Sequence, residues 1–132
     1  MKISTKLRYS SRLLLYLAEH EGIVRTSELG ENLKISPLYL RPIAIELEKN
    51  GIIKSYRGAR GGYELARSPE EITMLQIAQL YENLNLVPCL ENPDYCPFSD
   101  KCKTRKLWMK LKGCIEELLE NTTLKDVKEE RV

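Results

Sequence analysis

Residues 35–67 read ISPLYLRPIAIELEKNGIIKSYRGARGGYELAR and contain the strongest secondary-structure signals of the chain. Ser36 and Pro37 predict the start of a helix, because serine is a common N-cap and proline suits the first helical position. Gly51 predicts its end. The β-rich run IIKSY, the basic turn RGARGG and the run YELA predict two antiparallel strands joined by a glycine-rich loop. A helix followed by such a hairpin is typical of a winged helix-turn-helix, and an inert hairpin is the alternative.

Two more helices are predicted before this stretch. Ser4 can cap a helix in which apolar residues such as Leu14 recur at helical spacing, with Gly22 as its stop. Thr26 can cap a second helix that runs through Leu33. The tight link NLKIS between the second and third helices favours a helix-turn-helix over a plain helical hairpin. The predicted fold class is therefore mainly α with a small β wing.

Charge is distributed unevenly along the 132 residues, which are enough for one compact core or two small units. Residues 1–68 hold 12 Lys/Arg against 7 Asp/Glu, a balance of +5, whereas residues 69–132 hold 9 against 12, a balance of −3. The basic half can face a polyanion if a motif presents its cations. No run resembles a secretory signal or a membrane span, so a cytoplasmic location with no membrane partner is expected.

The second half of the chain predicts two helices. Residues 70–84 carry enough apolar residues to pack a bracing helix against the winged domain. Residues 103–120 carry an apolar stripe on an otherwise charged helix, formed by Leu107, Leu111, Ile115, Leu118 and Leu119. This stripe is most easily covered by a second copy of the chain, which predicts a homodimer. The alternative is that the stripe packs on its own domain. We therefore divide the chain into a DNA-binding domain at 1–84 and a cysteine loop with a dimerisation helix at 85–132.

Three of the four cysteines lie in one short stretch, CLENPDYCPFSDKC, residues 89–102. In a reducing compartment such a group indicates metal or redox chemistry more than disulfides. Cys89, Cys96 and Cys102 are spaced more widely than the C-x-x-C of zinc ribbons or thiol oxidoreductases. Iron–sulfur clusters accept thiolates from loops and a non-cysteine ligand. Zinc and reversibly oxidised free thiols remain the alternatives.

Several segments together resemble one family. MKISTKLRYSSRLLLYLA, the stretch at 35–67, SPEEITMLQI, the cysteine triplet and the late TTLKDV are similar to the iron–sulfur cluster regulators of bacteria, the IscR-type or Rrf2 family. The likeness spans nearly the whole chain. It implies a dimeric winged-helix transcription factor that binds partly palindromic operator DNA. Many members sense cluster, nitric oxide or redox status through a bound cluster, and the resemblance implies the same here, with a two-iron or four-iron cluster.

The resemblance also implies DNA-contact residues. The family's third helix reads the major groove, which assigns Ser36, Tyr39 and Arg41 to base or phosphate contacts and Arg57 to the wing. Arg60 and Tyr9 complete the predicted DNA-binding set. Arg41 stands where a family member has an acidic residue, so an arginine here favours the acceptor edge of guanine, with a phosphate contact as the alternative. Pro42 removes an N–H within the helix and is expected to bend it.

For the cluster, the resemblance implies Cys89, Cys96 and Cys102 as ligands and leaves the fourth open. Arg105 occupies the position of a histidine ligand in some relatives, and Arg8 that of an acidic ligand in another branch. Neither arginine can ligate iron. Open candidates for the fourth position are Glu91, Asp94, Asp100 and a low-molecular-weight thiol. Cys114 is interpreted as a buried structural thiol, and His20 as a helix C-terminal residue.

The expected function is transcriptional regulation, as a repressor that senses cluster, redox or nitric oxide status. The alternative is a cluster-free winged-helix regulator that responds to a metabolite or partner protein, for example in cysteine metabolism. An enzyme is not expected, because the chain has one histidine, no Ser-His-acid set and no Walker or dinucleotide phosphate loop.

Overall fold

Three helices form at the start of the chain in the order that the sequence predicts. The computed structural model describes residues 2–132, and its first helices are α1 (Thr5–Glu19), α2 (Thr26–Leu33) and α3 (Pro37–Lys49). The Ser4 hydroxyl accepts a hydrogen bond from the backbone N–H of Leu7 at 3.1 Å. This bond confirms Ser4 as the N-cap of α1, since it satisfies one of the free donors of the first turn.

The ends of α2 and α3 differ in detail from the sequence prediction. Thr26 is the first residue of α2, and Arg25 occupies the cap position. Pro37 opens α3 as predicted, but the Ser36 side chain makes no capping hydrogen bond. The Ser36 hydroxyl is therefore not committed to the helix that follows it. α3 continues across Pro42, so the missing N–H does not end the helix.

The wing is a three-stranded antiparallel sheet with strands β1 (Val24–Arg25), β2 (Ile53–Tyr56) and β3 (Gly62–Leu65). β3 is central, in the order β1-β3-β2. Arg25 pairs with Gly62 on one side of β3, and Tyr56 pairs with Gly62 on the other. The sequence predicts the two hairpin strands but not β1, because its two residues form a strand only through pairing with β3.

Four more helices complete the chain: α4 (Met74–Tyr81), α5 (Pro88–Glu91), α6 (Lys103–Glu120) and α7 (Leu124–Lys128). The expected helix at 70–84 is therefore shorter than predicted. A separate 3-10 turn precedes it, and the Thr73 side chain starts α4 through a capping box with Gln76. The predicted long helix at 103–120 is present with the same bounds.

One apolar core joins the two ends of the chain. Its fully buried members include Leu13 and Leu14 of α1, Leu47 of α3 and Leu124 of α7. Backbone hydrogen bonds of 2.8 Å, from Leu124 to the Ile72 carbonyl and from Met74 to the Thr122 carbonyl, attach α7 beside the start of α4. Among residues 2–132, every helix is too short or too polar to cross a bilayer.

Candidate nucleic-acid interface and cysteine loop

The outer side of α3 is available to a partner. Leu40, Ile43 and Leu47 face the core, whereas Tyr39 and Arg41 are exposed on the opposite sides of the helix. Ser36, just before α3, is exposed as well. The three residues predicted to read DNA from this helix are therefore all exposed, with Tyr39 and Arg41 on different flanks of α3. The amphipathic pattern of α3 explains their placement, since its buried positions recur at helical spacing.

α1 places an aromatic and cationic cluster beside α3. The Tyr9 ring meets the Tyr39 ring edge-on, with centroids 6.0 Å apart and planes at 90°. The guanidinium carbons of Arg8 and Arg12 lie 5.9 and 5.6 Å from the centroid of Tyr9, within cation–π range. The sequence predicts Tyr9 as a contact but not the two arginines. Their i, i+4 spacing around Tyr9 was the signal that could have found them.

The wing turn presents two more cations. Arg57 and Arg60 are exposed in the turn between β2 and β3. Gly58 holds φ at +99°, and the Gly61 N–H donates to the Gly58 carbonyl at 2.9 Å, which closes the turn.

At the base of this turn, Tyr56 donates a hydrogen bond from its hydroxyl to the Glu64 carboxylate. This bond raises the pKa of Tyr56 above its usual value of 10.0. The bond joins β2 to β3 and occupies the carboxylate nearest the wing turn.

The arginines of this surface are free to meet phosphate. In the part of the chain that the structure describes, the ion pairs within 4 Å are Lys112–Glu116, Lys125–Glu70 and those of Arg131. None of them involves an arginine of α1, α3 or the wing. Cations without an acidic neighbour keep their attraction for the DNA backbone, so this surface has the charge that duplex DNA requires.

The cysteine stretch is more ordered than the sequence predicts. Cys89 lies in α5, Cys96 follows a 3-10 turn at Pro93–Tyr95, and Cys102 holds the cap position of α6. All three are free and half-buried. The expected cysteine loop therefore contains two short helical turns, at 88–91 and 93–95, and each of them begins at a proline.

Cys102 has hydrogen-bond donors beside its sulfur. Its sulfur lies 3.1 Å from the Thr104 hydroxyl. This hydrogen bond, followed by one from the backbone N–H of Arg105, lowers the pKa of Cys102 below its usual value of 9.0. A lowered thiol pKa increases the fraction of thiolate, which is the form that binds metal.

The residues around the thiols fit an iron–sulfur cluster by chemistry but are not assembled for one. Ser99 is 7% exposed, and its hydroxyl lacks a hydrogen-bond partner, as does the buried Nε of Arg105. Thiolate and sulfide sulfurs can accept hydrogen bonds from such donors. Within residues 2–132, however, His, Cys, Asp and Glu side chains form no group of three that could hold a metal ion. Binding would require the stretch at 89–102 to draw its thiols together.

The remaining cysteine and the acidic candidates for the fourth ligand are all exposed. Cys114 is exposed on α6 in the single chain, so its interpretation as a buried structural thiol is wrong for the isolated subunit. Glu91, Asp94 and Asp100 are exposed. The His20 ring stacks on Tyr16 at 4.1 Å and its Nδ1 lies 2.7 Å from the Tyr16 carbonyl, in agreement with a helix C-terminal role.

α6 is only partly covered by its own chain. Leu119 packs against the core, but Leu107 and Leu118 are exposed, Leu118 by 67%. Beside the covered side lies an apolar groove of about 560 Å³, lined by Trp108, Leu111 and Ile115 of α6 and by residues of α1 and α4. The apolar stripe therefore exceeds what this chain can bury alone.

Comparison with known proteins shows a family to which this chain is similar along nearly its whole length. A family model described as Rrf2, iron-dependent transcriptional regulator, matches residues 3–130. The regulator IscR of Pectobacterium carotovorum is 34% identical over 130 residues, which cover 96% of this chain and 79% of that protein. The structure of IscR from T. potens aligns with a TM-score of 0.79 at 34% identity, covering 100% of this chain and 89% of the other. The structure of CymR, described as the global cysteine regulator of B. subtilis, aligns with a TM-score of 0.79 at 32% identity, covering 98% and 97%.

Proposed function

The chain belongs to the Rrf2 family of DNA-binding transcriptional regulators, which are not enzymes, and on that premise we propose that it represses transcription as a cluster-sensing homodimer. In this proposal residues 1–84 bind operator DNA in the cytoplasm. Residues 85–132 carry the sensing thiols and the dimer helix. The observation that carries the DNA part is the exposed outer side of α3 together with exposed arginines of α1 and the wing that form no ion pair within 4 Å among the described residues.

The proposed docking follows from which side chains α3 leaves in solvent. With α3 in the major groove, Ser36, Tyr39 and Arg41 face base edges or phosphates, and Arg41 favours guanine. Tyr9 supports the Tyr39 ring from α1. Arg57 and Arg60 extend from the wing turn towards the neighbouring backbone or minor groove. The exposed apolar residues of α6 supply the surface on which a second copy would pack.

We expect duplex DNA binding by a homodimer with steep salt dependence. If the dimer contacts six to ten phosphates, raising the salt concentration from 50 to 200 mM should lower the DNA affinity by roughly 10³- to 10⁵-fold. Sedimentation gives the oligomeric state, and titration of genomic fragments at several salt concentrations gives the slope. A monomer whose binding to every fragment is absent or indifferent to salt would contradict the proposal.

Arg57→Ala should lose about tenfold in DNA affinity and reduce the salt slope by about one, because one phosphate contact is removed. The thermal midpoint should stay the same, since Arg57 is exposed and outside the core. Lys128→Ala, which removes an exposed cation of α7 that is outside the predicted DNA-binding set, is the control and should bind as the unaltered protein does. A drop in stability similar to that of a core deletion would remove Arg57 from the DNA-binding set.

For the sensor, we assign Cys89, Cys96 and Cys102 as the ligands of an iron–sulfur cluster. Their support is the donor chemistry: three free, half-buried thiols, the lowered pKa of Cys102 and two buried hydrogen-bond donors without acceptors. When bound, such a cluster supplies a redox-sensitive group. The chain's own part is to hold the thiols in one stretch directly before α6 and to keep Arg105, which donates to the Cys89 carbonyl at 3.4 Å, at the joint of α5 and α6.

A cluster-free regulator is the second candidate, since the three thiols are not assembled in this structure and CymR shares the fold across the chain. In that case the thiols or a partner would respond to a signal in sulfur metabolism. Anaerobic purification followed by iron, sulfide and visible-absorption analysis separates the two candidates. Iron and sulfide in similar amounts support the cluster, whereas their absence supports the second candidate.

A further inference from the structure

The solvent side of α3 carries an apolar stripe of its own. Leu38, Arg41, Pro42 and Ile45 follow the i, i+3, i+4, i+7 spacing of one helix face, and all four are exposed. Leu38 is 86% exposed and Ile45 is 53% exposed. The core-facing side of α3 is already apolar, so this helix has apolar residues on both sides, with a single cation in the outer stripe.

Such a stripe indicates a contact surface. A helix that buries one face normally exposes polar residues on the other. Large apolar side chains grouped on a surface and rimmed by polar ones mark an interaction site. α1 adds cations to this part of the surface, because Arg8 and Arg12 lie over Tyr9, whose ring contacts Tyr39 of α3. The charge around the stripe therefore matches a polyanion with apolar groups at its centre.

We propose that Leu38 is a specificity-determining residue that contacts the 5-methyl group of a thymine in the major groove, next to the base pair that Arg41 meets. The proposal rests on the DNA binding proposed above. Leu38 is the second residue of α3, and the N-terminal residues of a recognition helix are those that contact base edges. The thymine methyl is the apolar group that base pairs present in this groove, and apolar side chains recognise it.

The arrangement also predicts the order of contacts along the operator. Leu38 and Arg41 lie three residues apart, about 4.5 Å along the helix axis, a distance between one and two base-pair steps of about 3.4 Å each. A leucine and an arginine at that separation would favour an A·T pair beside a G·C pair. Ile45 lies about 10.5 Å further along the helix axis than Leu38. It is therefore farther from the base edges, which the N-terminal residues of the helix contact.

The test uses deoxyuridine, which differs from thymidine by the 5-methyl group alone. A duplex selected by the unaltered protein from random-sequence DNA is remade with deoxyuridine at one thymine at a time. We expect one position in each half-site to lose about three- to fivefold in affinity, the effect of one apolar carbon removed from contact. Leu38→Ala should bind the thymine and deoxyuridine duplexes equally at that position.

Two variants control the measurement. Arg57→Ala should weaken binding to every duplex and keep the deoxyuridine penalty, because it acts from the wing. Ile45→Ala should also keep the penalty at the position assigned to Leu38. Equal binding of all thymine and deoxyuridine duplexes, or an unchanged penalty in Leu38→Ala, would overturn this inference alone. Failure of the unaltered protein to select any duplex would overturn the proposed function together with it.

Discussion

Alanine at Cys89, Cys96 or Cys102 should in each case remove the visible absorption, iron and sulfide of the anaerobically purified protein and fix its DNA affinity at the apo value. The reason is that this stretch contains three thiols in all, and its acidic residues are exposed. No side chain of the stretch is therefore placed to replace a missing thiolate. Each substitution would prevent the three thiols of residues 89–102 from coming together on one cluster. With three thiols held at one point, the start of α6 is fixed directly after Cys102.

The expected change in DNA affinity follows from the geometry of a dimer. Two recognition helices must meet half-sites about 34 Å apart, so a shift of the helix that joins the subunits alters how well both fit. A coupling free energy of about 1–3 kcal/mol, the usual allosteric range, corresponds to roughly five- to 150-fold in affinity. Titration of one operator fragment with each variant, under anaerobic conditions, measures this coupling.

Cys114→Ala is the matched control. Cys114 lies on α6, twelve residues beyond Cys102, and Cys114→Ala should keep the iron, the sulfide and the visible absorption. Identical behaviour of all four cysteine variants would show that the visible chromophore does not depend on the assigned set. Protein that contains neither iron nor sulfide when isolated without oxygen would show that the thiols serve another purpose.

Gly62→Ala should lower the free energy of unfolding by about 3 kcal/mol and the thermal midpoint by roughly 10 °C or more. A Cβ at this position would lie 2.0 Å from the Val24 carbonyl oxygen, 2.7 Å from the Val24 carbonyl carbon and 2.9 Å from the Arg25 Cα. These atoms are backbone and cannot move aside as a side chain does. β1 and β3 would have to separate, and with them the link between the wing and α2.

Gly113→Ala is the same substitution at another position, and there we expect an increase in stability. A Cβ at Gly113 meets no atom within 4 Å, and the residue lies inside α6. Alanine there should stabilise the protein by about 0.5–1 kcal/mol, because glycine is a poor helix former. Thermal unfolding of both variants beside the unaltered chain gives the comparison. A Gly62→Ala protein as stable as the original would mean that the sheet can widen without loss.

The sequence predicts those parts of the fold whose signals are local. The Ser4 cap, Pro37 at the start of α3 and the bounds of the long helix are confirmed, because each depends on a few neighbouring residues. β1 could not be predicted in this way, since Val24 and Arg25 become a strand through pairing with distant residues. The exposure of Cys114 likewise depends on how α6 sits on α4, which spacing along one helix does not define.

The same distinction applies to the candidate site. Arg57 and Arg60 are recognisable because the turn that presents them is contiguous in sequence. Arg8 and Arg12 join the surface only when α1 packs beside α3 and brings Tyr9 to Tyr39. Leu38 resembles a core residue until the buried side of α3 is known. The thiols are easy to find in sequence, yet their distance from one another depends on the short turns between them.

The attachment of α7 to the core makes α6 a lever with one fixed end. Leu124 is fully buried, and the hydrogen bonds around Thr122 and Leu124 hold the residues directly after α6 against the start of α4. The other end, about 27 Å away along 18 residues, is joined to the cysteine stretch. In the proposed mechanism a small displacement at Cys102 therefore turns α6 about its far end. Leu107 then moves several times farther than Leu118, so a partner packed along the helix would register the signal chiefly at the end nearest the thiols.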